Sequence, residues 1–407
     1  MTSETKKSGD VVFLTLSLMG LVAILSSTMS KNPVLKPFAT SLGTPDEWTG
    51  FVASASTIPG ILVSLPAASL SDIFGRKKFL LLAGFIFASA PFLYVLITVW
   101  WQLILVRFYH GFATAIFVPV VEAAIAESFP TKRGERLSLF SSITYVGRVI
   151  APVLGGTILL VSGTNFHTLY LSVGAAGVTA LITGLVFLRE KTPPKESETK
   201  SAGAVLRKVF EGWGTMVKNS EVLVVCVVQA CQYYSFGVVE YYMSGYVQEL
   251  VHLDWLSTSL ITGSLIAVPL VVKPYMGRMS DKTGRRLPII LGCIICGLPL
   301  IVVPFTSVFW VLLLMTMVYG FGFATVTAST PALISELMPK ELIGASMGFL
   351  DTIMDVGQTF GPIISGFILA TSLRYQGVFT SLTAVLLFSC VVFTSSGILK
   401  TKPKNRT

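Results

Sequence analysis

The stretch "GRMSDKTGRR", Gly277 to Arg286, is a polar island between long apolar runs, and a near copy, "SLSDIFGRKK" (69 to 78), occurs earlier in the chain. Asp72 and Asp281 hold the same place in the two copies, 209 residues apart. At that offset "HGFATAIFVPVVEAAIAESFP" (110 to 130) matches "YGFGFATVTASTPALISELMP" (319 to 339). A third pair, "ITYVGRVIAPVLGG" (143 to 156) and "IMDVGQTFGPIISG" (353 to 366), is offset by 210. Three matches in register make the chain two copies of one unit, the internal symmetry common in carriers.

Composition says what each copy is made of. Of 407 residues, 53% are hydrophobic and 13% charged, against roughly 25% charged in a soluble domain. Apolar runs of the roughly 20 residues needed to cross about 30 Å of hydrocarbon recur along the whole chain. Twelve spans are predicted: 11–30, 48–70, 79–98, 101–127, 137–162 and 167–188, then 221–248, 257–279, 287–305, 308–335, 341–370 and 374–398. The expected organisation is all-α and membrane-integral, with six spans in residues 1–188, a polar linker over 189–220, and six more in 221–407. Within the linker Val205, Leu206, Val209, Phe210, Trp213, Met216 and Val217 recur at helical spacing, which predicts an amphipathic helix lying at the interface.

The net charge of +9 reports topology. With the N-terminus inside, all of the 30 Lys and Arg residues except Lys31, Lys36, Arg374, Arg107 and Arg148 fall on one side. This positive-inside pattern places both termini and the linker in the cytoplasm of a cell-membrane protein. It calls for no nucleic-acid partner, and the absence of a G-x-x-x-x-G-K-[ST] loop argues against a nucleotide. Lys6 and Lys7 precede an apolar run with no small-residue cleavage site, so that run is read as a retained first span. Cys226, Cys231, Cys293, Cys296 and Cys390 all lie in predicted spans and are read as small buried hydrophobes, with no metal or cofactor expected.

At the repeated loop the chain resembles the major facilitator superfamily, over essentially its whole length. The family motif G-x-x-x-D-R/K-x-G-R-R/K is complete in the second copy as Gly277, Asp281, Lys282, Gly284, Arg285 and Arg286; the first keeps Asp72, Gly75, Arg76 and Lys77. Physically, an aspartate at a helix end can pair with arginine while glycine permits a tight turn, so the cluster is a candidate conformational latch. In span 4, "LILVRFYHGFATA" resembles the L-x-x-x-R-x-x-Q-G motif of the drug/proton antiporter branch through Arg107 and Gly111, with His110 in the glutamine position. In span 5, Gly147, Pro152, Gly155 and Gly156 resemble that branch's G-x-x-x-G-P-x-x-G-G motif, and Gly361 with Pro362 answers it in the second half. These small residues also suit close helix packing. The resemblance implies two pseudo-symmetric six-helix bundles, no enzymatic activity, and transport by alternating access.

Ionisable side chains inside spans are functional candidates, because each costs about 2.5–3.5 kcal/mol to insert at the centre. They are Arg107 and Glu122 in span 4, Arg148 in span 5, Glu240 in span 7, and Asp351 with Asp355 in span 11. Asp351, Asp355, Gln358 and Pro362 form one helical stripe, and Ser141, Tyr145, Arg148 and Pro152 form its counterpart 210 residues earlier. Gln229, Tyr233, Phe236, Glu240 and Ser244 line one face of span 7, a wall suited to an amphipathic ligand; Glu240, Tyr241 and Tyr242 also suit an interfacial aromatic belt. Asn32 falls opposite Glu240 in the repeat and is a further cavity candidate. His110 fits either a proton relay or a hydrogen-bonded packing residue.

Two carboxylates one turn apart in a low dielectric are suited to take up and release a proton. Asp351, Asp355, Glu122 and His110 are therefore the proton-coupling candidates, with Arg107 and Arg148 as charge partners. The family resemblance implies proton-coupled efflux of a small amphipathic molecule by a monomer in membrane lipid. Uptake of a small organic ion by a symporter or uniporter is the alternative, followed remotely by lipid flipping or membrane sensing.

Overall fold

The computed structural model describes residues 3–188, 213–339 and 342–398, with side chains except over 3–9 and at Leu65, Ala68, Ser69 and Asp72. Every regular element among the described residues is helical. The first half runs α1 (Ser3–Met29), α2 (Leu35–Ser41), α3 (Asp46–Ser54), α4 (Ile58–Phe74), α5 (Arg76–Val95), α6 (Trp100–Ser128), α7 (Arg133–Val161) and α8 (Phe166–Phe187). The second runs α9 (Ser220–Tyr246), α10 (Trp255–Thr283), α11 (Arg286–Val302), α12 (Phe309–Leu337), α13 (Ile343–Leu369) and α14 (Arg374–Ser395). A π-helical turn, Val247–Val251, extends α9.

Ten of these helices are long and apolar enough to cross a membrane. The two remaining predicted spans explain themselves locally. The span expected over 48–70 is broken at Ala55–Thr57 into α3 and α4, and α4 alone has 17 residues. Helix α13 has 27 residues, but Asp351, Asp355 and Gln358 dilute its apolar character. Most of the predicted linker helix lies outside the described residues; 213–217 is helical.

The described chain forms two compact units. The first comprises Met1–Thr44, Ala55–Leu206 and Asp254–Ser259. In it α1 packs on α7 and α8, α5 on α6 and α8, and α4 on α6, around a core that includes Met19, Phe87, Phe117 and Val121. The second comprises Pro45–Ser54, Arg207–Leu253 and Leu260–Thr407. There α9 packs on α13 and α14, α11 on α12 and α14, and α3 on α13, around a core that includes Val225, Ile289, Val326 and Leu333. The division does not follow chain order: α3 belongs to the second unit and Asp254–Ser259 to the first.

Outward faces of the helices carry large apolar side chains, among them Leu14, Leu62, Phe85, Leu185, Leu298, Trp310 and Phe388. Water would penalise such a surface, whereas hydrocarbon does not. Side chains cap the helix starts: Asn165 Oδ1 accepts from the Thr168 amide at 3.2 Å, and Asn219 Oδ1 from Glu221 at 3.0 Å. At the head of α10 the Ser257 hydroxyl and amide donate to Asp254 at 2.6 and 2.9 Å, holding its carboxyl below the usual range.

Candidate transport site

The duplicated loop has the same geometry in both units. Gly75 (φ 99°) joins α4 to α5 and Gly284 (φ 86°) joins α10 to α11, positive-φ turns that favour glycine. The turn turns Arg76 Nε onto Glu127 Oε2 at 2.9 Å, and Arg285 Nε onto Glu336 Oε1 at 3.0 Å. Each arginine also donates to the serine five residues before it, Ser71 or Ser280. Arg285 additionally pairs with Asp281; Asp72, predicted for the same role, lies outside the described side chains. Nothing lies within 4 Å of where a Cβ on Gly277 would sit, so no contact here demands that glycine. Both acids are half exposed or more, so each bridge contributes at most about 1 kcal/mol. Glu336→Gln is accordingly expected to change thermal stability by less than about 1 kcal/mol, read from the melting curve of the purified protein.

In the first unit the break between α3 and α4 is a docking point. Gly111 approaches the Ser56 backbone so closely that a Cβ would overlap it. One turn earlier on α6, Arg107 Nη2 donates to Ser56 Oγ, and the guanidinium is 2% exposed. His110 is also buried; its Nδ1 lies 3.4 Å from the Tyr94 hydroxyl, and Tyr94 stacks on Tyr170 at 4.4 Å between centroids. Among the described residues Arg107 Nε and His110 Nε2 have no hydrogen-bond partner. Glu122 stands exposed on the same helix, 15 residues further along, or about 22 Å. Among the described residues of this unit Arg107 has no carboxylate partner, so its cluster is polar and aromatic.

Helix α7 brings Tyr145 and Arg148 together, the guanidinium 5.4 Å from the ring centroid. The glycines of that helix serve packing: a Cβ on Gly147 would meet the Leu21 carbonyl, one on Gly155 the Met29 side chain, and one on Gly156 the Trp255 carbonyl. Asn32 is not on a span at all. It lies in the turn between α1 and α2, fully buried, with neither side-chain amide atom hydrogen-bonded among the described residues.

The second unit holds the aromatic wall. Tyr233 and Phe236 on α9 lie 6.3 Å apart by centroid, and both meet Phe323 on α12, at 5.2 and 4.6 Å. Gln229, one turn before Tyr233, is spent on packing and accepts from the Thr330 hydroxyl at 2.7 Å. Glu240 is 8% exposed, and Tyr241 and Tyr242 beside it are buried. The Tyr242 hydroxyl donates to the Pro362 carbonyl at 3.0 Å. Burial of the two tyrosines rules out the aromatic-belt reading of this stretch.

Asp351 on α13 is exposed and Asp355 half-buried; within their unit neither forms an ion pair or hydrogen bond among the described residues. Gln358 lies against Gly237 of α9, and Gly357 and Gly361 press on the Ala230 and Tyr234 backbones. Helix α13 therefore grips α9 with its glycines, and among the described residues of the unit its carboxylates meet no partner.

Sequence reading missed one intramembrane charge. Lys273 falls within the predicted span 257–279 but was counted with the cations on the cytoplasmic side; it lies ten residues before the end of α10, about 15 Å inside it. Its Nζ sits 5.6 Å from the Phe323 centroid. Such a contact returns about 0.5–2 kcal/mol, less than the about 2.5–3.5 kcal/mol that inserting a central lysine costs. Glu127 and Glu336 were missed too, although both sit at matching places in the repeat, which was the available signal.

Comparison with known proteins agrees with this architecture. The sequence model of the Major Facilitator Superfamily matches residues 16–276 and again 225–407. The multidrug resistance protein MdtG of Citrobacter koseri is 24% identical over 349 residues, covering 84% of this chain and 83% of that protein. The staphyloferrin B transporter of Staphylococcus aureus is 24% identical over 370 residues, covering 85% and 83%. Among solved structures, the nucleoside transporter NupG superposes with a TM-score of 0.79 at 12% identity, covering 96% of this chain and 100% of that one. With the family model covering nearly the whole length, the chain belongs to the Major Facilitator Superfamily: it is a multi-pass membrane transporter of a small molecule, similar to the drug/proton antiporter branch, and not an enzyme.

Proposed function

We propose that this transporter exports a small amphipathic molecule in exchange for protons. The observation that carries the reading is the pair Asp351 and Asp355, one turn apart on a helix long enough to span and without partners among the described residues of their own unit. A carboxylate pair of this kind can change its protonation with the wetting of its surroundings, and repulsion between the two makes one of them the site that cycles. Tyr233, Phe236 and Phe323 offer the apolar and aromatic surface an amphipathic substrate needs. The similarity to MdtG, named for multidrug resistance, supports export.

Exchange of this kind calls for a carrier built in two halves. Twelve spans, with α3 and α4 together as the second and α13 as the eleventh, make two six-helix halves that rock about a central site. Both termini and the linker lie in the cytoplasm, by the distribution of Lys and Arg, and the monomer sits in the lipid of the cell membrane. Arg107, Arg148, Glu122 and His110 are the remaining charge and proton candidates.

The test uses purified protein in proteoliposomes with an imposed pH gradient and a fluorescent amphipathic dye. Dye is expected to accumulate against its own gradient only when protons can run the opposite way. Accumulation in the same direction as protons would convert the reading to symport, and equilibration indifferent to the gradient would overturn proton coupling.

A further inference from the structure

Lys273 is a charge that the duplicated scaffold does not require. At the register set by Asp72 and Asp281 its first-half counterpart is Ser64, and the counterpart of Phe323 is Thr114. The cation and the ring it covers thus occur together in one copy of the repeated fold and at neither place in the other. Phe323 stands at the middle of α12, and Lys273 is ten residues from the end of α10. The side chain could have snorkelled toward the nearer end of its helix. Instead its ammonium rests over a ring that is 4% exposed.

The ring belongs to a cluster. Phe236 stacks on it at 4.6 Å and 19°, Tyr233 meets it edge-on at 5.2 Å and 74°, and Tyr319 lies nearly parallel at 6.4 Å. The Tyr319 hydroxyl is committed to Ser235 at 3.1 Å. Tyr233 and Phe236 keep part of their surface open, whereas Phe323 and Tyr319 do not. Within the unit Lys273 has no carboxylate partner among the described residues, although Asp351 and Asp355 belong to the same unit. A cation–π contact holds an ammonium less strongly than a charge-assisted hydrogen bond does. An arriving anion would therefore take the lysine from the ring.

We propose that Lys273 recognises the anionic group of the substrate, and that the substrate is a planar aromatic acid whose ring packs against Tyr233 and Phe236 while its carboxylate pairs with the Lys273 ammonium. The inference rests on the reading of this protein as a carrier of amphipathic molecules and names the charge they bear. No bond is made or broken; the lysine exchanges an aromatic face for a carboxylate.

The experiment is equilibrium binding to the full chain in lipid nanodiscs, with three probes of one shape: 1-naphthoate, 1-naphthylmethanol and 1-naphthylmethylammonium. Naphthoate is expected to bind at least tenfold more tightly than the alcohol. Lys273→Gln should erase that tenfold advantage, and its melting temperature reports whether the variant is folded. Lys273→Arg should preserve it, and Phe323→Leu should weaken all three. If Lys273→Gln does not fold, the wild-type ranking with Lys273→Arg still decides. The proposal is overturned if naphthoate binds Lys273→Gln as it binds wild type, if the ammonium probe ranks first, or if naphthoate shows no saturable binding. Binding in nanodiscs needs no pH gradient, so failure here leaves proton exchange standing, and failure of gradient-driven dye transport leaves anion recognition standing.

Discussion

Replacing Asp351 and Asp355 together by asparagine is expected to abolish pH-gradient-driven accumulation while leaving downhill equilibration of the dye. Asparagine keeps the shape and hydrogen-bonding capacity of the carboxyl but has no proton to exchange. The substitution removes charge from a stretch of α13 whose two carboxylates have no partner among the described residues of their unit, so it leaves no orphaned cation among them. Folding should therefore persist, and the melting temperature checks it. Because the two acids act as a pair, either single variant is expected to retain part of the coupled rate, with the surviving carboxylate taking over the titration. Unchanged accumulation and unchanged pH dependence in the double variant would move proton coupling to Glu122 or Glu240.

Gly361→Leu is expected to destabilise the protein by about 3 kcal/mol or more, the upper end for overpacking. The reason is the nature of the neighbour. A Cβ on Gly361 would overlap the Tyr234 carbonyl, and one on Gly357 the Ala230 carbonyl, so both obstacles are backbone atoms of α9. A side chain can rotate away, but a helix backbone moves only by parting the two helices. The glycines stand four residues apart, the spacing that lets helices in lipid approach closely without a hydrophobic drive. Gly348 on the same helix is the control: nothing lies within 4 Å of its Cβ position, and Gly348→Ala should melt no lower than wild type. Equal losses at both positions would show that close approach to α9 does not set the effect, since helix propensity by itself favours replacing either glycine.

How far the sequence reaches differs from one residue to the next. The glycine turns at Gly75 and Gly284 were legible, because a positive φ is a local demand and the repeat stated it twice. The partners of Arg76 and Arg285 were half legible: Asp281 lies in the same motif, but Glu127 and Glu336 come from 51 residues further on. Asn32 was placed on a cavity wall by register alone and sits in a buried turn, since the chain leaves α1 at Met29. Tyr242 suited an interfacial aromatic belt by sequence and is instead fully buried, its hydroxyl on the Pro362 carbonyl 120 residues away.

By itself the sequence determined that this is a duplicated, helical, membrane-embedded carrier, because hydropathy and repetition are properties of order along the chain. Only the tertiary structure decided which side chains keep company. It exchanged α3 and the head of α10 between the two units, seated Arg107 on the hydroxyl of the break at Ser56, and set Lys273 over Phe323. The physical reason is that a buried charge or hydroxyl is satisfied by whatever packing brings within about 3 to 6 Å. In a bundle of helices those neighbours come from elements dozens to hundreds of residues apart.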